Sequence, residues 1–283
     1  MIVKIAIAFG LFLILVPLWG LYLAVRPSKI VSAVTPADFG LKYEPVQFET
    51  EDGIRLSGWF IPHESAAAKA IILMHGYPAD KGDILPSTLF LARDYPLFYF
   101  DFRALGTSEG GYTTAGAREG RDLAAAIRFL ESRGIHTVGL WGFSMGGAVA
   151  LMEAPHRSQV QAVVSDSSYA SLAAMVSEIY PLPLLRRPLG AITNLWGWLL
   201  FGFHPRDVSP EKSARDIEVP VLIIHSQNDD VIPFSHALKI QEGLSEKPNA
   251  RIWFRQQALH GEIDAEYQDR VLEFFKESFS RPK

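Results

Sequence analysis

The sequence predicts an α/β fold in which a mostly parallel, eight-stranded sheet is flanked by helices. Short apolar runs typical of buried strands alternate with segments whose apolar residues recur at helical spacing. A hairpin signal occupies residues 51–53, and a glycine-rich turn at 142–146 joins a strand to a helix. Repeated strand–helix units favour parallel strands, because each helix returns the chain to the same edge of the sheet.

The predicted elements follow from these patterns in chain order. Strands are predicted at residues 45–50, 54–61, 70–74, 97–102, 137–141, 160–164, 219–224 and 251–254. Helices are predicted at residues 88–94, 118–133, 146–153, 235–244 and 265–279. Residues 169–212 are aromatic, apolar and too long for a simple connection, so we expect an inserted helical cap there. The alternative for this segment is an extra packed helix pair with no role in binding.

The N-terminal segment is long and apolar enough to cross a membrane. Residues 5–25 carry no charge, and at about 1.5 Å per residue they can span a hydrocarbon core of about 30 Å. Trp19 and Tyr22 near one end, with Lys4 and Arg26 outside the run, favour a single-pass anchor. A cleaved signal peptide is the alternative, although the run is long for one and no clean cleavage site follows. Basic residues on both sides leave the orientation, and so the side of the membrane, open.

These observations divide the chain into an anchor at residues 1–25, a linker at 26–43 and one α/β domain at 44–283, which includes the cap at 169–212.

The composition of the chain excludes several classes of function. The absence of cysteine excludes disulfides, thiolate metal sites and cysteine nucleophiles. A net charge of −4 without a basic stripe gives no reason to expect nucleic-acid binding. The histidines show no H-E-x-x-H or paired ligand spacing, so no metal site is predicted.

The glycine-rich turn carries the clearest chemical signal. Residues 142–146 read Gly-Phe-Ser-Met-Gly between an apolar strand and a small-residue helix, which is the context in which such a serine becomes a nucleophile. The serine has to stand at the tip of a sharp turn, and side chains two residues away on either side would collide with the neighbouring elements. Ser144 is therefore the candidate nucleophile. The alternative is a glycine-rich turn without chemistry.

Several segments together resemble the α/β-hydrolase family over residues 44–280. They are Leu73-Met74-His75-Gly76-Tyr77, residues 101–108, the turn at Ser144, residues 225–233 and Leu259-His260-Gly261. The order Ser, Asp, His along the chain is the one that this fold uses. The sequence is most similar to the membrane-anchored branch of Bem46-like or dienelactone-hydrolase-like proteins.

The resemblance implies a role for each polar group. Ser144 needs a base, and His260, which follows a strand beside a glycine, is the expected one. Asp229 fits the family spacing for the acid that orients the imidazole, with Asp230 and Asp166 as alternatives. The backbone N–H groups of Tyr77 and Met145 are expected to form the oxyanion hole. His75 is expected to brace its own loop, and Asp101 and Arg103 to serve structure.

The expected function is hydrolysis of a carboxylic ester or thioester through an acyl-enzyme, without metal or cofactor. The apolar cap and the membrane anchor favour a hydrophobic, lipid-like acyl substrate. An acyltransferase or a peptidase with the same three residues is the alternative enzyme class. A membrane-tethered binding module is a third hypothesis, but it predicts loss of one of the three polar side chains, and all are present.

Overall fold

A computed structural model describes residues 1–63 and 69–281. Within these residues, eight strands form one sheet: β1 (Glu44–Glu49), β2 (Arg55–Ile61), β3 (Lys69–Met74), β4 (Leu97–Phe100), β5 (Thr137–Phe143), β6 (Val160–Asp166), β7 (Val221–Ser226) and β8 (Ala250–Arg255). Their spatial order is β1-β2-β4-β3-β5-β6-β7-β8. The first two strands form the hairpin and β2 runs antiparallel to β4, whereas β3 to β8 are parallel. The predicted fold class is confirmed.

Four of the five helices predicted in the α/β domain lie close to their predicted positions, those at 118–133, 146–153, 235–244 and 265–279. The α-helices of the described residues are α1 (Ile2–Val25), α2 (Leu85–Thr88), α3 (Glu119–Ser132), α4 (Met145–Glu153), α5 (Leu172–Glu178), α6 (Pro183–Phe201), α7 (Pro210–Ser213), α8 (Phe234–Gly243) and α9 (Ala265–Ser280). The helix predicted at 88–94 is wrong, because Thr88 leaves the helical region at φ −120° and residues 89–93 form a 3₁₀ turn. This segment is too short to continue as an α-helix before Pro96 and strand β4.

The sheet is buried on both faces, which explains its uninterrupted apolar strands. In β4, Phe98 and Phe100 belong to the apolar cluster that includes residues of α3 and α4. The alternate residues Leu97 and Tyr99 belong to a second cluster, which includes residues of α9. Successive side chains of a strand point to opposite faces, so a strand covered on both sides has to be apolar at every position.

The chain segment between β6 and β7, which the sequence predicts as a cap, contains the two helices α5 and α6. A Cβ built at Gly190 would lie 2.3 Å from Ser177 Oγ, so the missing side chain allows the close approach of α6 to α5. The cap is tied to the domain through His236 of α8. Its Nδ1 accepts from the Ala170 N–H (2.9 Å), so Nε2 carries the proton that it donates to Glu178 at 2.6 Å.

Helix α1 continues into a segment that is packed on the α/β domain. The carbonyl of Val25, which is buried, accepts a hydrogen bond from the Thr113 N–H at 2.9 Å. Further along, Ser32 donates from its N–H and its hydroxyl to the two carboxylate oxygens of Asp80, at 2.8 and 2.6 Å. These contacts fix the C-terminal end of α1 relative to the sheet.

Candidate active site

Ser144 lies at the sharp turn between β5 and α4, at the carboxyl edge of the parallel strands. Its backbone has φ 52° and ψ −113°, a conformation that residues with a side chain rarely adopt. The turn is held on both sides, since Ser144 N–H donates to the Asp166 carbonyl (2.8 Å) and its own carbonyl accepts from Ala148 N–H (3.1 Å). Such strain persists only where the surrounding structure enforces it, and it is concentrated at functional sites.

The two glycines of the motif are required by close backbone approaches. A Cβ built at Gly142 would lie 2.3 Å from the carbonyl oxygen of Gly146. A Cβ at Gly146 would lie 2.3 Å from the carbonyl oxygen of Met74, at the end of β3. Both distances are far inside van der Waals contact, and both obstacles are backbone atoms that cannot rotate away. A side chain at either position would therefore collide with the backbone, as predicted from the sequence.

Asp229 and His260 meet at the same edge of the sheet. His260 Nδ1 lies 2.7 Å from Asp229 Oδ2, in loops that follow β7 and β8. The other carboxylate oxygen of Asp229 accepts from the N–H groups of Val231 (2.9 Å) and Ile232 (2.7 Å). Burial of the Asp229 side chain raises its pKa, but the hydrogen bonds from His260 and from the two amides outweigh burial and lower the pKa overall.

This geometry determines which nitrogen of His260 carries a proton. An ionised carboxylate can only accept hydrogen bonds, so the short contact with Asp229 requires a proton on Nδ1 of His260. In the neutral imidazole, Nε2 is then the nitrogen with a free lone pair. The His260 side chain is 13 % exposed, whereas that of Asp229 is completely buried. The contact with Asp229 therefore holds the neutral form of the imidazole in one tautomer.

Phe143 connects the His260 loop to the turn that carries Ser144. Its ring, one residue before Ser144, lies 4.7 Å from the imidazole of His260 between centroids. A Cβ at Gly261 would lie 2.7 Å from the same ring, so a glycine is needed where the loop passes over it. The imidazole of His260 therefore contacts the residue that precedes Ser144 in the chain. The motif predicts no role for its variable residue, and this contact was not expected from the sequence.

The loop after β3 brings the Tyr77 N–H toward the same region. A Cβ built at Gly76 would be 3.2 Å from Cβ of Ser144, so this loop lies directly against the turn. His75 Nε2 accepts from Phe102 N–H (3.1 Å), which leaves Nδ1 to donate to the Gly76 carbonyl at 2.7 Å. In a trans peptide the carbonyl and the following N–H point in opposite directions, so this bond turns the Tyr77 N–H away from His75.

Met145 is the second residue whose backbone N–H is expected to act as a donor. It is the first residue of α4, and the first N–H groups of a helix have no partner within the helix. The partial positive charge at a helix N-terminus favours an anion at this point. Helix α4 starts directly after Ser144, so its N-terminal amides lie next to this residue.

A small polar cavity adjoins His260. It has a volume of about 210 Å³ and is lined by Asp83, Ile84, Ser87, Trp141, Phe143, Asp166, His260, Gly261 and Ile263. Burial raises the pKa of Asp166 to about 6, against the effect of hydroxyl donation from Tyr267 and Ser167. Trp141 in turn donates to the Tyr267 hydroxyl at 3.1 Å. This chain of hydrogen bonds crosses residues far apart in sequence, and no motif indicates it.

The structure separates the alternative acids from Asp229. Asp230 contacts His260 through the backbone N–H, at 3.4 Å, and not through the imidazole. Asp166 is occupied by two hydroxyl donors. The two residues expected to be structural have separate ion-pair partners. Asp101 pairs with Lys81 at 2.5 Å, and Arg103 pairs with Asp122 (2.7 Å) and Asp52 (2.8 Å).

Comparisons with known proteins agree with this architecture. Residues 92–281 match the model of the prolyl oligopeptidase family. Protein YfhR of Escherichia coli (strain K12) is 31% identical over 220 residues, which cover 74% of this chain and 70% of YfhR. Protein bem46 of Schizosaccharomyces pombe is 24% identical over 208 residues, covering 70% of this chain and 64% of that protein.

Solved structures give the same result. The Pyrococcus furiosus esterase Pf2001 is 27% identical, with a TM-score of 0.76 over 90% of this chain and 100% of the esterase. The acylaminoacyl peptidase of Pyrococcus horikoshii has a TM-score of 0.65 over 92% of this chain and 47% of its own, but at 19% identity it supports the fold alone. The protein is thus an α/β-hydrolase that belongs to the prolyl oligopeptidase family and resembles the Bem46-like proteins.

Proposed function

We propose that this hydrolase cleaves carboxylic ester or thioester bonds through an acyl-enzyme formed on Ser144. The observation that carries the proposal is the hydrogen bond between Asp229 and His260, at the edge of the sheet where Ser144 stands in a strained turn. A serine hydroxyl is a weak nucleophile, so it needs a base held in one tautomer and close to it. His260, held by Asp229, is the proposed base.

The reaction proceeds in two halves. Ser144 Oγ attacks the acyl carbon, and its proton passes to Nε2 of His260. The tetrahedral intermediate collapses, the bond to the leaving group breaks, and the alcohol or thiol departs with that proton. Water then attacks the acyl-enzyme with the same nitrogen as base, which releases the acid and restores the Ser144 hydroxyl. Asp229 stays ionised and stabilises the imidazolium in both halves.

The negative charge of the intermediate needs donors that are in place before the reaction. The N–H groups of Tyr77 and Met145 are the proposed pair, since the first is oriented by the His75–Gly76 hydrogen bond and the second begins helix α4. Removing one such donor in other enzymes costs roughly 10²- to 10³-fold in kcat. These donors are backbone groups, so replacement of the two side chains leaves them in place.

The proposed substrate has a hydrophobic acyl group. The cap that lies over the sheet edge has exposed leucines and a tryptophan, and the esterase Pf2001 is similar in fold and sequence. We further infer that α1 is an uncleaved membrane anchor. It has 24 residues with a mean hydropathy of 2.4 in its most apolar window, and only 6% of that window is buried. An anchored hydrolase meets lipid-like esters at the membrane surface.

Cleavage of peptide bonds is the second candidate function. The family to which the chain belongs is named for a peptidase, and an acylaminoacyl peptidase has the same fold. The same three side chains serve both reactions, and the substrate is selected by the pocket. Paired p-nitrophenyl esters and p-nitroanilides with identical acyl groups distinguish the two functions. We expect hydrolysis of the esters and little or none of the anilides.

The test of the proposal uses the full chain in detergent, as wild type, Ser144→Ala and Ser87→Ala. Ser87 lines the cavity beside His260, so its replacement is a matched control for a serine near the site. Each protein is offered a fluorophosphonate probe and p-nitrophenyl esters of increasing chain length. We expect labelling and turnover in the wild type and in Ser87→Ala, and neither in Ser144→Ala. Labelling that persists in folded Ser144→Ala would exclude this serine as the nucleophile.

A further inference from the structure

Helix α6 exposes a large apolar surface that the fold does not cover. Leu195, Trp198, Leu199 and Leu200 are each 49–55 % exposed. From Pro188 to Phe203 the sequence contains no charged residue. Contiguous apolar surface of this kind is rare on soluble monomers, and it marks an interaction with a protein or a membrane.

The apolar surface of α6 is continuous with helix α1. The two helices pack against each other and enclose an apolar groove of about 610 Å³. The groove is lined by Leu15, Leu18, Trp19, Leu21, Tyr22, Leu200 and Phe201. At 1.5 Å per residue, residues 15–22 lie about 6 to 17 Å along α1 from Arg26, where its apolar run ends. The C-terminal end of α6 is therefore beside the part of α1 that would lie in hydrocarbon.

Charged residues lie where the surface would meet lipid headgroups. Arg186 and Arg187, at the N-terminal end of α6, are exposed, as are the nearby Leu182 and Leu184, the latter 93 % exposed. Exposed Arg26 follows the apolar run of α1. Basic residues next to an exposed apolar surface are typical of proteins that rest in the interface of an anionic membrane.

We propose that the C-terminal half of α6 is inserted into the bilayer beside α1, so that the cap of the hydrolase domain rests in the membrane. The occupant of the groove is phospholipid hydrocarbon, with Arg186 and Arg187 at anionic headgroups. The inference rests on the proposal that α1 is a membrane anchor. It places the cap, and the sheet edge beneath it, against the bilayer, where an apolar substrate can leave the lipid without crossing water.

The experiment places one cysteine at a time in the full chain, which has none of its own. Leu199→Cys and Leu195→Cys report on α6, Leu11→Cys reports on α1, and Ser132→Cys is the control. Ser132 is exposed at the end of α3, beside the opposite edge of the sheet. Each variant carries an environment-sensitive nitrobenzoxadiazole label and is reconstituted in phosphatidylcholine–phosphatidylglycerol vesicles. The quenchers are phosphatidylcholines with brominated acyl chains.

We expect brominated lipid to quench the labels at Leu199 and Leu195 about as strongly as the label at Leu11, and to leave the label at Ser132 bright. Quenching at Leu11 with none at either α6 position would overturn the inference while leaving the anchor intact. Spontaneous disulfide dimers of unlabelled Leu199→Cys, together with no quenching of its labelled form, would instead make this face a contact between two copies, and would also overturn it. Absence of quenching at Leu11 would remove the anchor and this inference together.

The proposed hydrolase activity is tested separately, by fluorophosphonate labelling in the same vesicles. Fluorophosphonate labelling of Ser144 does not depend on where α6 lies, so it distinguishes a failed docking surface from a failed active site. Labelling by the probe without lipid contact at α6 would support the proposed chemistry and contradict the proposed docking. Lipid contact at α6 without labelling would support the docking and contradict the chemistry.

Discussion

At the scale of single residues, the proposed site depends on the absence of two glycine side chains as much as on its polar side chains. Ser144 can adopt φ 52° because Gly142 and Gly146 have no side chains to meet the backbone around them. Asp229 and His260 then supply one hydrogen bond of 2.7 Å that fixes the imidazole. The contribution of the glycines is steric, and that of the Asp229–His260 pair is electrostatic.

Gly146→Ala is expected to destabilise the protein and to abolish ester hydrolysis. The added Cβ would lie 2.3 Å from the Met74 carbonyl oxygen, so strand and helix have to separate. Overpacking of this kind costs about 1 to 3 kcal/mol in free energy of unfolding. The control is Gly111→Ala, where a Cβ meets no atom within 4 Å. Urea denaturation and turnover are measured for both, and equal behaviour of the two variants would contradict the steric argument.

Asp229→Asn is expected to lower kcat by roughly 10⁴-fold with little change in stability. The amide still accepts from Val231 and Ile232, but it no longer stabilises an imidazolium or selects the tautomer. Asp230→Asn is the matched control, because that side chain contacts only the backbone of His260. The measurement is kcat on a short-chain ester for both variants and the wild type. A loss in Asp230→Asn as large as in Asp229→Asn would show that the acid has been assigned to the wrong residue.

At the scale of elements, buried hydrogen bonds join strands to the helix that covers them. Tyr267 of α9 donates to Asp166 at the end of β6 (2.8 Å) and accepts from Trp141 of β5 (3.1 Å). The three groups are buried. Such a network fixes the position of α9 against the sheet, but it also retains a carboxylate in a place where its charge is poorly solvated.

Asp166→Asn is expected to change how stability depends on pH. The pKa of Asp166 is raised to about 6 by burial, above its value of about 3.9 in an unfolded chain. The folded state therefore holds the proton of Asp166 to a higher pH, and the contribution of Asp166 to wild-type stability falls as the pH rises from about 4 to about 6. The difference corresponds to on the order of 3 kcal/mol.

Relative to the wild type, Asp166→Asn is expected to become more stable as the pH rises over that interval. Above about pH 7 the difference in stability is expected to change no further. Any change in hydrogen bonding that the new amide introduces is independent of pH and cancels in the comparison. Thermal unfolding from pH 4 to pH 8 provides the measurement, with exposed Asp269→Asn as the control. Parallel curves for Asp166→Asn and wild type would mean that Asp166 titrates normally.

At the scale of the whole molecule, helix α1, the cap and the proposed site are joined by a series of contacts. Helix α1 packs on α6, α6 packs on α5, and Glu178 at the end of α5 is bonded to His236 of α8. Helix α8 follows the loop that carries Asp229. The proposed contact of the cap with the membrane is thereby connected to the part of the domain that holds the proposed acid.

Leu199→Asp combined with Leu200→Asp is expected to reduce hydrolysis of a long-chain ester presented in vesicles. The loss should reach about tenfold or more, because a charge within hydrocarbon costs roughly 2.5 kcal/mol or more. Hydrolysis of a water-soluble short-chain ester should be unchanged, since neither residue belongs to the proposed reaction centre. Leu238→Asp, at an exposed leucine of α8, is the control. Equal losses on both esters would indicate damage to the fold and not to docking.

The sequence by itself determined the class of fold, the strand positions and the serine turn. These are local properties: period-two and apolar runs, helical spacing, and glycines at fixed offsets from Ser144. It also indicated Asp229 and His260 as the acid and the base, because the segments that contain them resemble the family pattern. It failed at residues 88–94, where helical composition gave way to a 3₁₀ turn.

The tertiary structure decided what depends on distance in space. The β2-β4-β3 order of the sheet, the selection of Asp229 over its neighbour Asp230 as partner of the imidazole, and the Phe143–His260 contact all join segments remote in sequence. The packing of α6 along α1 also belongs here, because two apolar helices carry no signal of which one will meet the other. Apolar attraction is non-directional, so periodicity can show that a face is buried or membrane-facing, but only the assembled chain determines against what.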